Sequence, residues 1–275
     1  MSKTEGRGTE GRGTDGNGAD KPASGAPKGP ITDTMAKPLA KRFYKDVTVG
    51  EGAFFQILLD GRVVRTPGKR ALLLPSRPLA DAVAAEWQAQ EASINPGTMP
   101  LTRFANTAID AVSDAQKEVA NDIAAYAGRD LLCYRAVTPP ELTRLQAASW
   151  DPVIDWAREA LASHFTVVEG VMPVDQPVLT LKKFSAALEP HDAFKLTALH
   201  VLTTLTGSAL LALAHVRGFL SQDDMWSAAH VDEDYQIAHW GQDEEAAHRR
   251  VLRRQEFDAA CRLLASLQSD DQHRV

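Results

Sequence analysis

The stretch Ala53–Trp87, "AFFQILLDGRVVRTPGKRALLLPSRPLADAVAAEW", carries the change of period that decides the fold. "AFFQILL" is a strand-like apolar run. Asp60-Gly61 then supplies the two-residue turn that suits a type I′ hairpin. "RVVRT" reads as the return strand. Thr66-Pro67-Gly68-Lys69 reads as a type II turn, with proline fixing φ and glycine accepting φ > 0. "RALLLP" reads as the next strand. Upstream, "FYKDVTV" from Phe43 alternates loosely, so an antiparallel meander is expected over residues 43–75. After Pro78 the period becomes helical. Leu79, Val83 and Trp87 recur every four residues, which puts them on one apolar face, with Trp87 as a core anchor.

Downstream, "INPGTMPLTRFANTAIDAV" reads as a Pro/Gly loop leading into a helix near Thr102. Ser113 is the expected N-cap for "DAQKEVANDIAAYAG", which Gly128 closes. "ELTRLQAASWDPVIDWAREALASHF" is helical on both sides of Asp151-Pro152, with Asp151 expected to cap a new helix that has Pro152 at its first position. "TVVEGVMPV" reads as a strand or extended crossing, and the chain from about Leu179 as helix. Ala198–Val216 has no acid, lysine or arginine and is nearly long enough to span a bilayer. Its histidines, threonines and Gly207-Ser208 break favour two buried helices instead. Strands first and helices later is the order of a segregated α+β protein. The expected organisation is a tail over residues 1–36, a small antiparallel β-rich domain over 37–100, a larger α-helical domain over 101–268 and a frayed end over 269–275.

The chain has 275 residues, 44% of them hydrophobic, and a formal net charge of -6. A sizeable core is affordable in area, and no basic run concentrates enough charge for a nucleic-acid partner. Cys133 and Cys261 are the only cysteines, without C-x-x-C spacing, so ordinary buried thiols in a reducing compartment are expected. The first residues lack an apolar run and carry acids throughout, unlike a secretory or organelle signal, which points to a bacterial cytoplasmic protein. The G-x-G-x-x-G matches at Gly6 and Gly11 have no strand before and no helix after, so no dinucleotide site is expected. No G-x-S-x-G elbow or phosphate-binding loop occurs, and no cofactor is expected.

"HVDEDYQIAHWGQDEEAAH", His230–His248, is the candidate site. With Ser221 as N-cap, one helix is expected to run to Trp240 and stop at Gly241. At about 100° per residue, Trp226, His230, Glu233, Ile237 and Trp240 then share a face, and His239 points away. Glu233 is an acid in the middle of an aromatic and apolar stripe. It is either an internally paired carboxylate or the centre of a partner-binding patch. A metal-dependent hydrolase is the alternative, with His230 and Glu233 on one helix meeting Glu244 and His248 on the next, although H-E-x-x-H spacing is absent. Arg249, Arg250, Arg253 and Arg254 are expected to form an exposed basic face.

In order along the chain, "KRFYKDVTV", "ILLDGRVVRTP", "RPLADAVAAEWQAQ", "INPGTMPLTRFANTAID", "DLLCYRA", "WDPVIDWA", "GSALLALA" and "HVDEDYQIAHWGQDEEA" cover about residues 41–265. Together they resemble the assembly-chaperone family for the alpha subunit of the F-type ATP synthase catalytic sector. The resemblance implies a β-rich N-terminal part, a helical C-terminal part and an ATP-independent, non-enzymatic function. Its client is the unassembled alpha subunit, whose beta-contacting surface it shields until the ring assembles. Eukaryotic members are mitochondrial. The family implicates an acid in the last motif, which Glu233 matches best. Asp234 departs from the pattern, at a position that is more variable in the family and often Glu or an aromatic. Trp226, Glu233, Asp234, Ile237 and Trp240 are therefore the expected partner-binding residues of a chain that is monomeric when free and does not span a membrane.

Overall fold

The computed structural model describes residues 39–268. The expected N-terminal tail, its glycine-rich matches and the frayed C-terminus lie outside the described residues. Four short strands come first: β1 Val47–Gly50, β2 Phe55–Leu59, β3 Arg62–Val63 and β4 Leu73–Leu74. β2 is their common partner. β1 pairs along all of it but Phe55, from Val47↔Leu59 to Gly50↔Gln56, while β3 takes its far end and β4 its near end. The sheet is antiparallel, but it is not the expected meander, because β4 returns to β2 rather than pairing onward from β3.

Both turns between these strands follow from residue chemistry, one of them not as expected. Asp60 and Gly61 have φ of 48° and 76°, the pair of left-handed residues that a type I′ turn needs. At the second turn, Lys69 is the left-handed residue, with φ 65°, and Gly68 is not. The type II reading is therefore corrected. Gly68 serves close approach instead: a Cβ there would lie 2.6 Å from Asp110 Oδ1. Its N–H donates to Asp110 Oδ2 at 2.7 Å, and Thr66 Oγ1 donates to Oδ1 at 2.6 Å.

The same kind of cross-chain capping joins the sheet to the helices. α1, Arg77–Gln88, starts at Ser76, whose side chain accepts from Leu79 N and donates to Ser266 O at 2.7 Å near the far end of the chain. Leu79 and Val83 are fully buried, and Trp87 is half-buried against Tyr44. α2, Pro100–Asp110, has no cap of its own. Glu86 of α1 supplies one, accepting from Leu101 N, Thr102 N and Thr102 Oγ1 at 2.7, 2.8 and 2.7 Å. Burial lifts this carboxyl above its ordinary range, against the pull of those hydrogen bonds.

The rest is helical. α3, Gln116–Ala127, begins after Ala115, not at Ser113, whose hydroxyl donates to Ile109 O and receives Arg70. β5, Tyr134–Arg135, and β6, Val168–Glu169, form a two-stranded parallel ladder, all that the expected strand in "TVVEGVMPV" becomes. α4, Pro140–Ala160, runs unbroken through Pro152. The expected restart at Asp151 fails because Asp151 pairs with Arg135 at 2.8 Å and does not cap. Trp150, Val153 and Ala157 are buried on one face across the proline, and that burial outweighs one lost hydrogen bond.

α5, Val178–Ala186, precedes the apolar pair α6, Ala193–Thr206, and α7, Ala209–Val216. Gly207, φ 69°, ends α6, and Ser208 caps α7 by accepting from Leu211 N at 3.0 Å. Beneath the break, fully buried Asp130 accepts from Leu132 N and Leu210 N at 3.1 and 3.0 Å. Burial pushes its carboxyl up to about 6. The chain closes with α8, Gln222–Ala229, α9, Val231–Trp240, and α10, Glu244–Gln268. No described helix is long and apolar enough to cross a membrane. The architecture is α+β, a small antiparallel sheet followed by helices.

Candidate functional site

The single helix expected from Ser221 to Trp240 is two. Ser221 does cap α8, but the chain leaves helical geometry at His230, with φ −117° and ψ 18°. The imidazole is the physical reason. Its Nδ1 donates to Trp226 O at 2.8 Å, occupying the carbonyl that an unbroken helix would give to the His230 N–H. That N–H turns to Ser227 O at 3.2 Å instead. The stripe of Trp226, His230, Glu233, Ile237 and Trp240 is therefore divided between two helices.

Its members end up in different surroundings. Trp226 is buried, stacked on His230 at 3.9 Å and edge-on to Phe257 at 5.0 Å. Burial lowers the His230 pKa, with Arg250 and Arg253 acting the same way, against the Trp226 hydrogen bond and Glu233. Glu233 is 29% exposed and bound by an in-chain cation: Arg253 reaches both its oxygens, at 3.0 and 2.9 Å, and Arg250 Nη1 lies at 3.9 Å. Asp234 pairs with Arg250. Asp232 accepts from Gln146 of α4 at 2.7 Å. These consecutive acids thus hold α9 between α4 and α10. Ile237 is half-buried, and Trp240 is 76% exposed.

The arginine run does not form the free basic face expected of it. Arg249 pairs with Glu245, Arg250 with Asp234, Arg253 with Glu233, and Arg254 with Asp223 and Asp258 at 2.6 and 2.7 Å. Arg250 and Arg254 also lie over the Trp226 ring, 5.9 and 5.1 Å from its centroid. These pairs frame an open cleft of about 450 Å³ between α9 and α10. Trp226, Asp234, Ile237, Ala247, Arg250, Val251 and Arg254 line it. Val251 in this lining is exposed, and so are Trp240 at the end of α9 and Leu252 next to Val251 in α10.

Three of the expected partner residues, Trp226, Asp234 and Ile237, therefore meet at one cleft. Trp240 lies on the exposed surface of α9, and Glu233 is occupied by Arg253. Sequence reasoning missed Val251, Arg250 and Arg254 as members of the cleft, and Asp223 and Asp258 as the partners of Arg254. The signal for the charged ones was present: acids at 223, 233 and 234 precede arginines at 250, 253 and 254 across one glycine turn. Which acid meets which arginine depends on the break at His230, which spacing alone does not reveal.

The hydrolase residues are not brought together. Glu244 and His248 sit exposed on the first turns of α10. Among the described residues no group of three or more His, Cys, Asp or Glu is placed to hold a metal ion. Cys133 and Cys261 are buried, and burial pushes each thiol up to about 12, so neither is a poised thiolate.

Known proteins share this architecture. Residues 41–158 match the family model described as ATP12 chaperone protein. The Atu1473 protein of Agrobacterium tumefaciens is 47% identical, with 85% of this chain and 88% of that chain covered and a TM-score of 0.81. Atp12 from Paracoccus denitrificans is 42% identical, covering 83% of this chain and 99% of that one, with a TM-score of 0.78. Protein atp12, mitochondrial, of Schizosaccharomyces pombe is 23% identical over 226 residues, 77% of each chain. With its sheet, its helices and most of its length in register with these relatives, the chain belongs to the ATP12 chaperone family, a family of chaperones and not of enzymes.

Proposed function

We propose that this protein is an ATP-independent assembly chaperone. It binds the unassembled alpha subunit of the F-type ATP synthase and shields the surface that later meets the beta subunit. It does so in the bacterial cytoplasm, as a monomer when free. One observation carries the choice of surface: Trp226, Ile237 and Val251 line a cleft between α9 and α10, two helices that also expose Trp240 and Leu252. An apolar cleft flanked by charged groups is the usual anatomy of a protein-binding site. Aromatic anchors at such a site carry a large share of binding energy. In this reading Trp226, Asp234, Ile237 and Trp240 face the client. Glu233 acts from behind, through Arg253, by fixing α10 against α9.

Coexpression with the alpha subunit of the same organism tests the reading. Wild-type protein raises soluble alpha subunit and comigrates with it. Trp240→Ala and Ile237→Asp lose the complex while keeping the wild-type melting temperature within a few degrees. Capture by both variants at the wild-type level would remove the cleft from the function. Absence of capture by the wild-type protein would remove the client.

A further inference from the structure

Charge in the α9–α10 cleft is layered. The guanidiniums lie inward: Arg250 and Arg254 side chains are 18% and 33% exposed and rest over Trp226. Their carboxylate partners lie outward, Asp234 at 50% and Asp223 at 84% exposure. Exposed Asp224, Asp243, Glu244 and Glu245 extend the acidic side of α8 and of the first turn of α10. A segment arriving from water meets acids before it meets arginines.

We propose that the cleft receives a basic-apolar polypeptide segment, in which an apolar side chain is followed closely by a lysine or arginine. This rests on the reading of the cleft as the client surface, and it adds the chemistry of the client segment. The apolar side chain packs on Ile237 and Val251, above buried Trp226. The cation meets Asp234 in the lining and the field of Asp223, which Arg254 of the lining holds at the cleft edge. Sharing a carboxylate is chemically available because an ionised carboxylate has about four acceptor sites, and one arginine does not exhaust them. The guanidiniums stay on the indole and keep the carboxylates oriented. An acidic segment has no such route. Arg250 and Arg254 already hold carboxylates, and their faces are covered by Trp226. An arriving acid would have to displace Asp234 or Asp223 while passing through their field. The chain's net charge of -6 acts in the same direction at longer range.

The probes are three synthetic peptides with one leucine-rich sequence and a single variable position, Lys, Gln or Glu, titrated calorimetrically into the full chain. The Lys peptide is expected to bind at least ~10-fold tighter than the Gln peptide, and the Glu peptide weakest of all. The preference should shrink in about 0.5 M NaCl, where surface charges are screened. Asp223→Asn with Asp234→Asn should erase the Lys preference and leave the Gln peptide unchanged. Asp223→Asn alone, at the most exposed of these acids, guards against a folding artefact because it should leave the melt unchanged. Equal binding of all three peptides, tightest binding of the Glu peptide, or no binding would each overturn the proposal. Loss of alpha-subunit capture by Ile237→Asp, beside peptides indifferent to charge, would sink the charge rule and leave the client reading standing. Intact capture by both Ile237→Asp and Trp240→Ala would remove the cleft from the client surface, and this proposal with it, whatever the peptides do.

Discussion

Reversing the charge of Glu233 separates a residue that touches the client from one that holds the surface in place. Glu233→Lys removes two hydrogen bonds to Arg253, 3.0 and 2.9 Å long, and sets a cation beside Arg253 and Arg250. The pair is partly open to water, with Glu233 29% and Arg253 41% exposed, so solvent screening discounts its strength. Loss of the pair costs about 1 kcal/mol. Two unit charges about 4 Å apart repel by at most about 4 kcal/mol at an effective dielectric near 20, and a flexible lysine can swing away from most of that. The total is about 2–3 kcal/mol. In a domain of this size that lowers Tm by roughly 4–12 °C. Glu233→Gln, which keeps the shape, should cost about 1 kcal/mol. The assay is thermal melting beside alpha-subunit capture. Capture should fall in step with Tm, and adding Arg253→Glu to Glu233→Lys should restore both by re-forming the pair in reverse. Lost capture with an unchanged melt, and no rescue by the second substitution, would refute the clamp and return Glu233 to the client interface.

Three further outcomes follow from the caps. Glu86→Ala strands Leu101 N, Thr102 N and Thr102 Oγ1 at the start of α2 and should cost about 1–3 kcal/mol in urea unfolding, where a loss below about 0.5 would contradict the capping role. Gly68→Ala puts a methyl 2.6 Å from Asp110 Oδ1 and should destabilise by about 1–3 kcal/mol through forced separation of the turn from α2, whereas an unchanged melt would show the turn free to shift. Asp130, with its folded carboxyl raised to about 6, contributes stability that is full below the unfolded value near 3.8 and is lost as pH rises through about 6. Relative to Asp130→Asn, which does not titrate, the wild type should therefore weaken between about pH 4 and 6, and a pH-independent difference in Tm would refute the assignment.

The broad plan was legible because it depends on local chemistry. The Asp60-Gly61 turn, the apolar period of α1 and the break at Gly207-Ser208 each need only neighbouring residues, and each formed as read. The errors cluster where a distant partner overrides a local preference. Gly68 looked like a left-handed turn residue, but its missing side chain makes room for Asp110, 42 positions away. Asp151 looked like a cap, but Arg135 claims it. Ser113 had the chemistry of an N-cap, and Arg70 and Ile109 use its hydroxyl instead. The site was legible to the same degree. Its residue types stood out, and Trp226, Asp234 and Ile237 do meet. The second wall comes from α10, and pairing across a loop has no period to read.

The buried carboxyls and thiols with shifted pKa values are not among the residues that line the cleft. A catalytic cavity gathers titratable groups whose surroundings push their pKa values apart, so that one can give a proton while another takes it. In this chain Asp130 and Glu86 are raised by burial while capping helices, away from the cleft residues. The buried thiols are pushed away from reactivity. His230, the imidazole beside the cleft, is lowered by burial, and its Nδ1 is spent on Trp226 O. The ionisable side chains that line the cleft, Asp234, Arg250 and Arg254, are each already matched to an opposite charge. Matched pairs at a half-exposed surface are individually weak, about 1 kcal/mol or less, so a further cation can join their carboxylates at little cost. The buried Trp226 and Phe257 beneath them keep the floor rigid. Under the proposed function, a packed apolar floor beneath weak surface ion pairs suits a surface that binds and releases a protein client.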